Sequence, residues 1–158
     1  MVILVDTREQ KNEHILKYFD AKGIKHVSKS LKYGDYSFMI PKSDEFGIPR
    51  DLFFYNHIVV ERKGSLEEIS GNFTEGRDRF EKELSLAPKN KVIMIENAGY
   101  SDVCFHNYQT QYNEKALWAS LHTMWWKYGC PTFFVDKNSC SGAFIEGFFD
   151  YYLKTLVK

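Results

Sequence analysis

The sequence has no excess of either charge, because its 21 Lys and Arg residues equal its 21 Asp and Glu residues over 158 positions. This balance excludes a generally basic nucleic-acid coat, so any nucleic-acid contact has to come from local clusters of basic side chains. The 27% of charged and 44% of hydrophobic residues exclude a disordered tail and a membrane protein. The length predicts one domain with a single core over residues 1–158.

Paired cysteines and long apolar segments are also missing. The three cysteines, Cys104, Cys130 and Cys140, form no C-x-x-C pair, which argues against a disulfide framework or a cysteine zinc site. No apolar stretch approaches the roughly 20 residues that span a bilayer, and the apolar run at residues 2–5 has no basic leader. We therefore expect a cytoplasmic protein with reduced thiols and no membrane partner.

The hydrophobic pattern alternates between strand-like and helix-like segments. Apolar runs predict strands over residues 2–5, 24–32, 36–40, 52–61, 91–96 and 131–135. Apolar residues at helical spacing predict helices over residues 9–22, after Lys63, and over residues 76–86, 113–128 and about 142–157. No repeat or linker interrupts the chain, so we predict one α/β domain with a long hairpin around the loop at residues 41–51.

Acidic residues stand where three of the predicted strands begin or end. The three clusters are Asp6-Thr7-Arg8-Glu9, Asp35 and Glu61-Arg62-Lys63. Because side chains alternate along a strand, Glu61 and Lys63 point to one face and Arg62 points to the other. If the hairpin brings Asp35 beside Glu61, two carboxylates and one ammonium group converge.

Such a group of side chains suits a hard divalent cation. Mg²⁺, with Mn²⁺ as the alternative, takes carboxylate oxygens, waters and substrate phosphate as ligands. The metal activates a bound water, and a neighbouring lysine orients that water or stabilises developing charge. Each motif alone is common in turns and on solvated strands. Their joint occurrence in this order predicts phosphodiester hydrolysis.

The same motifs, in this order, resemble the XPF-type nuclease domain. The matching segments run from residue 2 to about 157 and are VDTRE, YGDY, VVERK, GNFT, GRDRFEKEL and MIEN. The resemblance is strongest to small stand-alone versions from phages and bacteria. It implies a restriction-endonuclease-like PD-(D/E)XK core, in which helices flank a central mixed sheet, and a bacterial or phage-infected host cytoplasm as the location.

The resemblance also implies roles for individual residues. It places the catalytic site at Asp6, Arg8, Glu9, Asp35, Glu61 and Lys63, with the metal on Asp35, Glu61 and Asp6. Glu67 stands where the family signature ends in Asp, so its longer arm makes direct metal contact doubtful. We expect Glu67 and Arg62 to support the site or to cap a helix.

The activity that the resemblance implies is that of a magnesium-dependent DNA endonuclease without a nucleotide cofactor. Branched or flap-type DNA in replication, recombination or repair is the expected substrate. Many relatives also carry a tandem helix-hairpin-helix module that grips branched DNA, and these 158 residues leave no room for one. The alternative is a catalytically weak nuclease fold that binds DNA or another protein.

Basic and aromatic clusters suggest partners for the domain. The expected DNA contacts are Arg77, Arg79, Lys29 and Lys32. The lysines have an alternative role, since Lys also protects edge strands from pairing, and Arg77 has one in pairing with a carboxylate. The last helix carries Phe144, Phe148, Phe149, Tyr151 and Tyr152, which fits a homodimer interface or a helix that covers the sheet.

Overall fold

A seven-stranded mixed sheet runs through the computed structural model, which describes residues 1–157. The strands are β1 Val2–Val5, β2 His26–Ser28, β3 Tyr36–Ile40, β4 Leu52–Phe53, β5 Ile58–Lys63, β6 Asn90–Glu96 and β7 Thr132–Val135. The helices are α1 Glu13–Ala21, α2 Leu66–Thr74, α3 Arg77–Leu86, α4 Tyr100–Cys104, α5 Glu114–Tyr128 and α6 Ser141–Leu156. A short 3₁₀ turn, Asn138–Cys140, precedes α6.

The strand order is β2-β1-β3-β5-β6-β7, and β4 pairs with β3 outside this path. Strand β3 is antiparallel to β1, β4 and β5, whereas the pairs β1–β2, β5–β6 and β6–β7 are parallel. The predicted mixed sheet flanked by helices is thus confirmed. Along the part of the chain described, no helix combines the length and apolar character needed to cross a bilayer.

Each face of the sheet carries its own apolar layer. Helices α2, α3 and α5 pack on the face that presents Ile93 and Ile95. Helices α1 and α6 pack on the face that presents Val60 and Met94. Because β6 is covered on both sides, its run of apolar residues is continuous rather than alternating.

Four elements differ from the sequence-based prediction, the first being α1, which begins at Glu13 and not at residue 9. Strand β2 contains only His26–Ser28, because its one partner strand, β1, ends at Val5, which pairs with Ser28. The predicted strand at residues 52–61 is broken at a turn in which the Phe54 carbonyl accepts from the His57 and Ile58 amides. Helix α4 was not predicted, because five residues are too few to show a helical period.

The turn before β3 depends on Gly34. Its φ of +75° lies in the left-handed region, and a Cβ atom there would come within 2.6 Å of the Val59 Cβ atom on β5. The loop that carries Asp35 therefore packs against β5 only because residue 34 has no side chain.

We predict that Gly34→Ala destabilises the fold more than Gly23→Ala. Gly23 has a similar φ of +68°, but a Cβ atom there would meet nothing within 4 Å. The control therefore carries the backbone strain without the clash. We expect a difference of about 1–3 kcal/mol in the free energy of unfolding, measured by chemical denaturation. Equal losses would show that the contact with Val59 imposes no constraint.

Candidate active site

Backbone hydrogen bonds join the three acidic clusters at one end of the sheet. The Asp6 amide donates to the Asp35 carbonyl at 2.8 Å, and the Asp35 amide donates to the Val60 carbonyl at 2.8 Å. The Asp35 carboxylate in turn accepts from the Arg62 amide at 2.7 Å. Asp35 is therefore bonded to the residues on both sides of Glu61, so its position relative to Glu61 is fixed by the backbone.

Asp6, Asp35 and Glu61 line one cavity of about 250 Å³. A fourth acid, Glu83 of α3, closes the opposite wall. The other lining residues are Arg8, Lys32, Tyr33, Gly34, Val59, Arg79, Phe80, Leu84, Ala87, Lys91 and Cys130. Sequence reasoning missed Glu83, although it stands one turn after Arg79 in the GRDRFEKEL motif.

The carboxylates of Asp35 and Glu61 repel each other in this cavity. Burial is the main cause that raises the pKa of Asp35 well above its ordinary value, and the charges of Glu61 and Glu9 add to it. Burial also raises the pKa of Glu61, although Lys63 opposes the shift. Because both half-buried carboxyl groups resist ionisation, a cation between them would stabilise their charged forms.

Lys63 is a buried cation beside this pair. Its Nζ atom lies 3.3 Å from Glu61 Oε1 and 5.2 Å from the centre of the Phe80 ring. The Phe80 ring and the Glu61 carboxylate together hold the ammonium end of Lys63 in place, whereas a lysine side chain at a surface is flexible. Glu61 and Lys63 thus share one face, as the strand period predicts.

Both oxygens of Asp6 have protein donors. Arg8 Nε donates to Oδ2 at 2.8 Å, and the Leu31 amide donates to Oδ1 at 2.8 Å. Arg8 Nη2 also donates to the Leu31 carbonyl at 2.9 Å. Asp6 and Arg8 thereby hold the loop between β2 and β3 against the cavity. The predicted metal contact of Asp6 stays a prediction.

Arg62 points to the opposite face of the sheet, where it joins two buried acids. Its guanidinium group donates to Glu9 Oε2 at 2.8 Å and to Glu96 Oε1 at 2.6 Å. The Tyr36 hydroxyl also donates to Glu9, at 2.6 Å. The structure therefore places Glu9 on this second face, around Arg62, and not among the acids that line the cavity.

Glu96 is a site-supporting residue for which the sequence reasoning gave no role. Its side chain is 1% exposed and receives hydrogen bonds from Arg62, from Ser141 and from His14, whose Nε2 lies 2.5 Å away. Burial acts to raise the pKa of Glu96, but these hydrogen bonds outweigh it and lower the pKa. The available signal was an acid that ends a continuous apolar strand, in the MIEN motif.

The remaining predicted site residues lie at different distances from the cavity. Glu67 accepts from the Gln109 amide at 2.9 Å, so it anchors a loop and does not line the cavity. Arg77 contacts Ser120 on α5 at 2.9 Å. Lys32 and Arg79 lie on the cavity wall, whereas Lys29 covers the Phe53 ring at 5.0 Å.

The donor set fits a hard divalent cation without completing its shell. Among residues 1–157, no group of three His, Cys, Asp or Glu side chains has the arrangement of a metal site. Asp35 and Glu61 supply carboxylate oxygens, and Mg²⁺ commonly takes one or two carboxylates while waters and substrate phosphate fill the other positions. The residues present therefore fit the metal that the sequence predicts.

Comparison with known proteins identifies the family. The model of the ERCC4 domain matches residues 5–148. The chain belongs to the ERCC4 domain family. The predicted XPF-type nuclease domain is thereby confirmed. No curated protein matches the sequence.

Solved structures confirm the restriction-endonuclease-like fold. XPF from Aeropyrum pernix is 18% identical, with a TM-score of 0.69 over 96% of this chain and 61% of the solved chain. XPF from Aeropyrum pernix in complex with DNA is 18% identical, with a TM-score of 0.68 over 98% of this chain and 66% of the other. The chain thus spans about two thirds or less of the solved chains that it matches.

We predict that Asp35→Asn stabilises the metal-free protein, increasingly so as the pH rises. Folding raises the pKa of Asp35, so the protonated carboxyl favours the folded state. This contribution is present at low pH. It is lost as the pH rises from about 4, the ordinary pKa of Asp, through the raised pKa of the folded protein. The amide keeps the acceptor for the Arg62 amide. We expect a gain of about 1 kcal/mol at neutral pH and none below about pH 4.

The measurement is thermal unfolding in chelator over a pH series. Asp44→Asn is the matched control, since Asp44 is exposed in the loop after β3. A gain that is the same at every pH, or the same for both variants, would contradict the assignment of a buried, repelled carboxylate at Asp35.

Proposed function

We propose that this ERCC4-family domain is a metal-dependent DNA endonuclease that hydrolyses phosphodiester bonds, with residues 1–158 acting as one nuclease domain. The observation that carries the proposal is the repelled carboxylate pair of Asp35 and Glu61, with the Lys63 ammonium group 3.3 Å from Glu61. Family membership supports a nuclease, and these three side chains are the ones to which the sequence resemblance assigns the family signature.

Asp35 and Glu61 would hold Mg²⁺ or Mn²⁺. An ion held by these two carboxylates would supply a water of lowered pKa and would offset charge on the attacked phosphate. Lys63 orients the attacking water or stabilises charge on the phosphate, and its contact with Phe80 keeps it in place without a substrate. Asp6 adds a further carboxylate at the cavity wall.

The supporting residues hold the geometry of this centre. Arg8 fastens the loop next to Asp35 through Asp6 and the Leu31 carbonyl. On the other face, Arg62 is clamped by Glu9 and Glu96. Because Arg62 lies between Glu61 and Lys63 in β5, clamping its side chain limits twisting of the strand segment that carries both groups.

DNA would reach the centre across exposed cations at the rim of the cavity. The Arg79 and Arg8 side chains are 85% and 69% exposed, and Lys32 is exposed beside them. The related XPF from Aeropyrum pernix has been solved in complex with DNA, which supports DNA as the partner. Lys29 extends the basic track from the rim, and Arg77 joins it only if it leaves Ser120.

Few rim cations and a net charge of zero favour weak binding to plain duplex DNA. We therefore propose branched or flap-type DNA as the substrate, whose shape adds contacts that a linear duplex lacks. Replication, recombination or repair is the corresponding process.

A catalytically weak interaction module is the second candidate. It is favoured by Trp125 and Trp126, whose rings stack at 6.0 Å on the outer side of α5. Their exposure is 45% and 82%, which is high for side chains of this size. The cleavage experiment below separates this candidate from the nuclease.

We predict metal-dependent cleavage that depends on Asp35, Glu61 and Lys63. Purified protein is incubated with flap, fork and linear DNA in Mg²⁺ or in chelator, and single-turnover rates are measured. Asp35→Asn, Glu61→Gln and Lys63→Met each lower the rate by about 100-fold or more, because each removes a group that acts on the reacting phosphate. Asp44→Asn is the matched control. Full activity in Asp35→Asn, or no cleavage of any DNA by the unchanged protein, would contradict the proposal.

We also propose a homodimer that uses the aromatic side chains of α6. The Phe144 ring stacks on Phe133 of the edge strand β7 at 4.4 Å and lies 5.8 Å from the Phe148 ring. Phe133 is 50% exposed, so this row of rings reaches the surface at the edge of the sheet, whereas Phe149 is buried in the core.

Sedimentation velocity tests the dimer. We expect Phe133→Lys to shift the protein to monomer, because a charge would have to be buried at the interface. Phe46→Lys is the control, since Phe46 is 74% exposed in the loop after β3. A protein that is monomeric at high concentration without any substitution would refute the dimer.

A further inference from the structure

Lys91 is a buried cation that the proposed chemistry does not use. It is 8% exposed and lines the same cavity as Asp35 and Glu61. Its Nζ atom donates to the Pro88 carbonyl at 3.0 Å. Within residues 1–157, no carboxylate forms an ion pair with it. Burial lowers the pKa of Lys91, so the fold carries a cost for holding this charge inside the cavity.

The acids of the cavity already have other donors. Asp6 pairs with Arg8, Glu83 pairs with Arg79, and Glu61 pairs with Lys63. The Cys130 side chain next to Lys91 is a neutral thiol, because burial raises its pKa to about 12. An ammonium group has three donors, so Lys91 retains capacity to donate to an anion that enters the cavity.

The register of the sheet places Lys91 relative to the candidate metal site. Glu61 pairs with Ile93 and Val59 pairs with Lys91, so Lys91 lies on the same face as Glu61, two residues back along the neighbouring strand. Two strand residues correspond to about 7 Å. This spacing allows Lys91 and the candidate metal site to bind different groups, although both lie in the same cavity.

We infer that Lys91 forms the floor of a phosphate-binding subsite next to the candidate metal site. The ligand is a phosphate group, supplied by the nucleotide next to the cut in a bound DNA strand or by free inorganic phosphate. Only the first source rests on the proposed nuclease function. The exposed cations that line the cavity, Lys32 and Arg79, would lead a phosphate inward past the apolar side chains of Val59 and Leu84.

Orthophosphate binding to metal-free protein tests the subsite without any cleavage. Isothermal titration calorimetry at fixed ionic strength is expected to show binding that Lys91→Met weakens about tenfold or more, since a charge-assisted hydrogen bond is lost. Lys89→Met is the matched control, because Lys89 is exposed two residues away. Lys91→Arg, which keeps the charge, is expected to recover binding. In the unchanged protein, the Lys91 Cε signal in carbon NMR is expected to shift with phosphate, so the test stands even if Lys91→Met fails to fold.

A second arm identifies the source of the phosphate. The DNA substrate is made with a neutral methylphosphonate in place of the phosphate next to the cut. If a DNA phosphate binds at Lys91, this change is expected to slow cleavage by the unchanged enzyme about tenfold and to slow cleavage by Lys91→Met no further. Equal slowing of both proteins, together with orthophosphate binding, assigns the subsite to free phosphate.

The subsite is refuted if orthophosphate fails to bind the unchanged protein, or if it binds Lys91→Met as tightly. These outcomes are independent of the nuclease proposal, which fails if the unchanged protein cleaves no DNA or if Asp35→Asn keeps full activity.

Discussion

The attachment of Asp35 to the backbone of β5 is the constraint on which the site depends. Its amide and its carboxylate form hydrogen bonds with the residues before and after Glu61. The backbone therefore holds the two acids close together although their charges repel each other. The absence of a side chain at Gly34 makes this approach possible. The site therefore keeps its carboxylates close at the expense of stability, and a cation bound between them would relieve their repulsion.

A second set of charges, on the opposite face of the sheet, offsets the energetic cost of this repulsion. Arg62 is enclosed by Glu9 and Glu96, and each acid receives a further donor from Tyr36 or Ser141. Buried charges of this kind are tolerated only when nearly every group has a partner. The E-R-K motif thus serves both faces of β5: its outer members lie on the face of the cavity, and its arginine anchors the strand.

Features that depend on neighbouring residues could be predicted from the sequence, whereas features that depend on packing between distant segments could not. Periodicity located all seven strands, with β4 and β5 merged into one segment. Strand alternation placed Glu61 with Lys63 and Arg62 opposite them, because these are local properties of the backbone. The order of the motifs identified the family. Glu83 and Glu96 were missed as site residues, since their proximity to the site arises from packing of α3 and from the parallel pairing of β5 with β6. The placement of Glu9 around Arg62 was not foreseen, because a loop after a strand can turn to either face of the sheet, and its catalytic role stays a prediction.

The hydrogen bond from Ser141 to Glu96 has a consequence for communication across the molecule. Ser141 is the first residue of α6, and Glu96 holds the guanidinium group of Arg62, whose amide holds Asp35. Displacement of this helix end would remove a donor from a buried carboxylate and loosen the chain of contacts that ends at the acidic pair. A molecule that docked on this helix would therefore be linked to the acidic pair, so that the proposed assembly and the proposed cleavage would share one thermodynamic balance.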